Sequence, residues 1–228
     1  MNGQLSEFSK KLEVAEHALK QRKFETAADL LHDTARYASS NAEVARAKRA
    51  LGYAYRMLGY LPSAQTELES AEEISSTASD FLSVGIAQRL LAEVLYDLAV
   101  QEGDVEMSEE LFDECTKTLN NSLFNLREAG KDMDVFEHAA TVSMIGAMQY
   151  ELGNKQRGLA LLDNSVIDAF VTTNEQILVR NVLRHMRYAP ADRLRSVQIV
   201  WMLSKRDPAL RSYRHLALKA LIGLKVHL

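Results

Sequence analysis

Apolar residues along this chain recur at helical spacing. In the stretch LGYAYRMLGYLPSAQTELESA, residues 51 to 71, Leu51, Tyr55 and Leu68 alternate with the small residues Gly52, Gly59, Ala64 and Ala71. An isolated amphipathic helix would carry bulky side chains at such positions. Glycine and alanine there imply that a neighbouring helix comes very close. Near the other end, Leu210, Tyr213, Ala217, Leu221 and Leu224 repeat at intervals of three and four, again one helical stripe. Val, Ile and Thr form no alternating runs, so no strand is predicted. Turn signals at Gly59-Tyr60, Gly103-Asp104, Gly130-Lys131 and Gly153-Asn154 divide the chain. Pro62, Pro190 and Pro208 each read as first-turn prolines, and Asp207 as an N-cap. The predicted helices are 4–21, 24–38, 41–58, 61–76, 78–101, 104–127, 131–152, 155–171, 174–188, 190–204 and 207–225. Short connections predict antiparallel packing of sequential helices.

The pattern repeats. Leu51, Gly52, Tyr55, Gly59, Ala64, Leu68 and Ala71 closely resemble the tetratricopeptide-repeat motif, a helix–turn–helix unit of about 34 residues. An earlier copy is Val14, Ala15, Ala18, Phe24, Ala27 and Leu31. Half-copies are Leu91, Ala92 and Leu95, and then Ile145, Gly146, Gly153, Gly158 and Leu162. The steps between copies lengthen: 37 residues from Ala15 to Gly52, 40 to Ala92 and 54 to Gly146. The middle helices must therefore be longer than the family norm. The resemblance implies an all-α, right-handed superhelix of antiparallel helix hairpins over residues 1–171. Residues 172–228 then form a basic helical C-terminal cap.

Composition agrees with a folded helical protein: 47% hydrophobic, 25% charged, and only 3 Pro and 10 Gly among 228 residues. Charge is uneven. Residues 1–171 hold 16 basic and 28 acidic residues, a balance of −12, whereas 172–228 hold 11 and 3, a balance of +8. One cysteine, Cys115, excludes an internal disulfide and fits a reducing compartment. The N-terminal MNGQLSEFSKKLEVAEH lacks the apolar core of a signal peptide, and no apolar run is long enough to span a membrane. The expected location is cytoplasmic.

No phosphate-binding glycine loop, nucleophile elbow or paired-cysteine motif is present. Glu13/His17 and Asp134/His138 have helical spacing, but two ligands make no metal site. Acidic neighbours such as Glu114 would raise the pKa of Cys115 and leave it inert. The acidic stretch QEGDVEMSEELFDE lacks the spacing of a calcium loop and reads as a solvated helix start. The expectation is a non-enzyme without cofactor or metal.

In tetratricopeptide arrays the first helix of each unit lines a concave groove. The resemblance places Arg46, Arg49, Tyr53 and Arg56 there around Gly52, with Arg89, Glu93 and Tyr96 around Ala92 and Tyr150 near Gly146. Guanidinium forks beside phenol rings suit carboxylates and extended peptide backbones. Tyr53 stands where the family's chaperone-tail clamp has an asparagine, which argues against that ligand. Arg49 and Arg89 are expected to face inward on adjacent repeats without being buried. In the C-terminal segment Arg180, Arg184 and Arg187 share a helix face, as do Arg211, Arg214 and Lys225. Trp201 and Tyr213 are expected in the core. The resulting expectation is a protein- or peptide-binding scaffold using its groove. The alternative is a peptide-sensing regulator whose basic C-terminal region contacts nucleic acid. Self-association stays open.

Overall fold

The computed structural model describes residues 6–130, 134–170, 175–189, 193–207 and 210–221. Among these residues there are eleven helices and no strand: α1 (Glu7–Lys20), α2 (Phe24–Ala35), α3 (Asn41–Leu58), α4 (Leu61–Thr77), α5 (Phe81–Gln101), α6 (Val105–Glu128), α7 (Val135–Glu151), α8 (Lys155–Phe170), α9 (Glu175–Tyr188), α10 (Arg193–Arg206) and α11 (Arg211–Leu221). Each of the eleven predicted segments coincides with one of these helices over its described residues, and the long middle pair is present, with α5 at 21 and α6 at 24 residues. Side-chain chemistry sets the starts. Ser40, Asp80 and Asp104 accept from the backbone N–H three residues on, at 3.3, 3.0 and 3.1 Å, satisfying donors a helix cannot satisfy itself. Asp134 does the same for Phe136 and Glu137 at 2.8 and 3.3 Å. The carboxylate paired with His138 in sequence is thus a cap. At the other end of α3, Gly59 sits at φ +81°, the left-handed turn an L-residue resists. Helix α5 starts three residues later than predicted, because Asp80 caps it after a turn with Ser79 at φ +53°. The expected helix starts at Pro190 and Pro208, and Leu224 and Lys225, lie outside the described residues. Asp207 accepts the N–H of Leu210 at 3.1 Å through its backbone carbonyl.

The chain divides into two compact units, Met1–Asp132 and Met133–Leu228. Helices α7 and α8 share a unit with α9–α11. In the first unit each helix packs on the next, while α3 also touches α1 and α5. In the second unit α9 likewise touches both α7 and α11. This is hairpin stacking, with the odd-numbered helices of each unit forming one layer.

Why residues 51 to 71 carry so few bulky side chains is now clear. A Cβ on Gly52 would lie 2.6 Å from Leu68 Cγ, and Ala64 is fully buried beside it. Between α7 and α8 it is backbone that comes close: a Cβ on Gly158 would lie 2.7 Å from the Gly146 carbonyl oxygen and from the Tyr150 nitrogen. Between α5 and α6 the close approach centres on Gly85, under Leu126, two turns before the Ala92 of the motif. Ser122 seals it by donating to the Gly85 carbonyl at 2.7 Å. Phe8, Leu12, Leu31 and Leu51 fill the core of the first three helices. In the second unit Val182, Leu183, Met186, Val200, Leu203 and Tyr213 do so. Tyr213 is buried as expected. Trp201 is not: 38% of it is exposed, because Ser196, Val200, Leu203 and Ser204 take the inner face of α10.

Candidate functional site

The α1–α3–α5 layer carries the residues singled out in the sequence. Steps of three and four put Arg46, Arg49, Tyr53 and Arg56 on one stripe of α3, facing Glu16 of α1 at one end and α5 at the other. The two ends of this stripe differ. At the α1 end Arg46 is exposed and its Nη2 lies 2.7 Å from Glu16 Oε1. Arg49 and Tyr53 are half-buried, with the Tyr53 ring edge-on to Phe24 at 6.2 Å between centroids.

At the α5 end the charges are inside. Glu93 is 0% and Arg89 3% exposed, and Arg56 is buried too. Arg56 donates through Nη1 to Glu93 and through Nε to Asp97 at 2.6 Å. Arg89 Nη1 reaches the other Glu93 oxygen at 3.0 Å. The result is a four-residue network, Arg56–Glu93–Arg89 with Asp97 at its edge, tying α3 to α5. The expectation that Arg89 faces into the groove without being buried is therefore corrected: it is buried and paired with Glu93 where α5 meets α3. Tyr96, which the resemblance places in the groove, is buried with its ring 5.9 Å from that of Phe112 on α6. Asp97 and Glu16 were missed in the sequence, although Asp97 stands four residues after Glu93 on the same helix face.

Cys115 of α6 lies against this network. Its Sγ donates to the Ala92 carbonyl at 3.1 Å. Burial first, then the carboxylates of Glu93 and Asp97, push the thiol up to about 12. Such a thiol stays protonated and is a poor nucleophile. Among the described residues no group of three or more His, Cys, Asp or Glu could hold a metal ion. In the acidic stretch Glu102 accepts the N–H groups of Gly103 and Asp104 at 2.9 and 3.1 Å, so this carboxylate organises the α6 start.

Tyr150 stands apart in the second unit, half-buried, its ring 4.9 Å from that of Tyr188. The five arginines singled out in the C-terminal segment differ in their surroundings. Arg184 is buried and donates to Ser143 Oγ at 3.2 Å. Arg180 is half-buried, and Arg187 lies 3.4 Å from Glu151. Arg211 is exposed. Arg214 donates to Ser204 Oγ at 2.6 Å, and its guanidinium covers the Trp201 ring 4.9 Å from the centroid.

No family model matches the sequence, and no curated protein matches it either. Solved structures do. A Rap protein complexed with Competence and Sporulation Factor superposes with a TM-score of 0.71 at 13% identity over 94% of this chain and 56% of that one. This chain thus spans little more than half the length of that protein. A thermophilic tetratricopeptide-repeat protein of Thermus thermophilus gives 0.63 at 15% identity, covering 92% of this chain and 98% of the other. The kinesin light chain tetratricopeptide-like repeats of Podosopora anserina give 0.52 at 18% identity, covering 94% and 96%. The fold is an all-α helical repeat of the tetratricopeptide type.

Proposed function

We propose that this chain is a non-catalytic protein- or peptide-binding module whose ligand lies along the α1–α3–α5 layer at Arg46, Arg49 and Tyr53. One observation carries the reading: the stripe is closed by paired charges at its α5 end and accessible at its α1 end. The exposed Arg46–Glu16 pair is the exchangeable part, since such surface pairs are worth only about 0–1 kcal/mol. A ligand carboxylate can replace Glu16 on the guanidinium at little net cost. The buried Arg56–Glu93–Arg89 network holds α3 against α5 and so fixes where the stripe points. Arg49 and Tyr53 add a planar fork and a ring beside it, suited to an acidic extended segment. The Rap protein of the same fold, solved with Competence and Sporulation Factor bound, supports a ligand-carrying role. The buried thiol of Cys115 supports a reducing, cytoplasmic setting. No comparable observation favours nucleic-acid contact, since Arg184 is inside and Arg187 sits beside Glu151.

A panel of fluorescent extended peptides graded in Asp and Glu content tests this by anisotropy. Acidic members should bind, and Arg46→Glu should weaken them at least tenfold without changing the helical signal. Arg49→Lys, which keeps the charge and loses the fork, should weaken them less. Equal binding of acidic and basic peptides, or no loss in Arg46→Glu, would remove the site from this stripe.

A further inference from the structure

Helix α10 carries apolar residues on both faces. Its buried inner face is Ser196, Val200, Leu203 and Ser204, while its outer stripe is Leu194, Gln198, Trp201, Met202 and Lys205. Leu194 is 69%, Met202 46% and Trp201 38% exposed. These positions follow at i, i+4, i+7, i+8 and i+11, one line about 16 Å long at the helical rise. Leu218 of α11 is also 46% exposed, and the stack of Arg214 on Trp201 joins the outer faces of α10 and α11. The two helices together carry seven basic residues and no acidic one. Single exposed apolar residues are ordinary, but an aligned row with a tryptophan beside the exposed bases Lys205, Arg206 and Arg211 has the make-up of a docking surface.

Its complement is in the same chain. The first ten residues of α6, VEMSEELFDE, hold five acids and no base. Glu106, Glu110, Asp113 and Glu114 are exposed along this helix, and Met107 beside them is 52% exposed. The α6 acids line a helix at the same pitch as the α10 stripe, with one apolar side chain to set against Trp201. We infer that the α10–α11 face docks on the acidic first half of α6 of a second copy of this chain. Because the two surfaces differ, a pair related by a two-fold axis uses the contact twice, reciprocally; without closure the copies add head to tail. A membrane surface or a nucleic acid would use the cations but not the matching acidic helix.

Sedimentation of the full chain across concentration tests this. At 50 mM salt the wild type should exceed its monomer mass of 25.6 kDa, and 500 mM salt should weaken association about tenfold or more, as charges beyond the Debye length are screened. Lys205→Glu with Arg211→Glu should be monomeric, and so should Glu110→Lys with Glu114→Lys. All four residues are exposed, so each double variant should keep its helical signal. Mixed in equal amounts, the two variants present complementary reversed faces and should associate again. A wild type that stays monomeric throughout would overturn the inference, whether or not it binds anionic vesicles or DNA. So would reversed variants that associate like the wild type, or a mixture that stays apart.

Discussion

Two regions of this molecule break the usual partition of residues in opposite ways. Where α3 meets α5, charge is inside: Arg56, Glu93 and Arg89 are buried. On α10 apolar residues also lie outside, with Leu194, Trp201 and Met202 exposed opposite the buried Val200 and Leu203. A buried charge is tolerable only when paired, because its desolvation must be offset by an opposite charge at good geometry. That requirement is met within the first unit. The exposed apolar row on α10 has no such remedy among the described residues. The first region is satisfied by its own neighbours; the second is the surface to which the inferred self-association assigns a partner.

The largest effect should come from breaking the buried network. Glu93→Ala leaves the Arg89 guanidinium buried beside a cavity, and removing one partner of such a pair costs about 3–5 kcal/mol. Urea denaturation should show the loss as a lower midpoint with an unchanged slope. Replacing Glu93, Arg56 and Arg89 together by apolar residues of similar volume should cost much less. If the single change were as mild as the triple, these residues would be solvated and the contrast with α10 would vanish.

The close helix approaches come next. Gly158→Ala sets a methyl against the backbone of Gly146 and Tyr150, which cannot move aside as the Leu68 side chain can for Gly52→Ala. Overpacking at either site should cost about 1–3 kcal/mol, with Gly158 at the upper end. Ala64→Leu, at a fully buried position, belongs in the same range. Thermal melts should rank the glycine variants in that order.

This ranking also shows what could be read from the sequence. The Gly52–Ala64–Leu68 spacing encodes a close pair of helices, because only small residues admit a neighbour's backbone, and the structure has that pair. Period alone put Arg46, Arg49, Tyr53 and Arg56 on one face. It could not say how deep each position lies, since depth is set by where α5 crosses α3. Arg46 and Arg56 therefore look equivalent in the sequence and differ in the fold. Trp201 misled for the same reason in reverse: size suggests core, but Val200 one position earlier holds the inner face, and a step of one residue turns a side chain about 100° around the helix.

Substitution on the outer row should separate stability from association. Leu194→Gln and Met202→Gln should shift the folding free energy by no more than about 0.5 kcal/mol, as exposed positions do. Both should leave acidic-peptide binding at Arg46 unchanged. A melting temperature lowered as much as by Gly158→Ala would mean that α10 buries this row after all.

The smallest effect at neutral pH, and the one confined to alkaline solution, belongs to Cys115. Its folded pKa of about 12 lies above the ordinary 9, so the folded state holds the proton longer than the unfolded chain. Below pH 9 both states are protonated and the thiol has no influence on stability. As pH rises from 9 towards 12, the unfolded state loses its proton first, and stability falls by about 1.4 kcal/mol per pH unit. Above 12 both states are ionised and the loss levels off. Cys115→Ala should remove this slope between pH 9 and 10.5 in urea titrations, while costing a little at pH 7 through the lost hydrogen bond to Ala92. A thiol-reactive dye at pH 8 should label the native protein slowly and the urea-unfolded protein fast. Rapid labelling of the folded chain would mean that the α5–α6 pair opens readily, and the buried network beside Cys115 would then not be the rigid counterpart of the exposed row on α10.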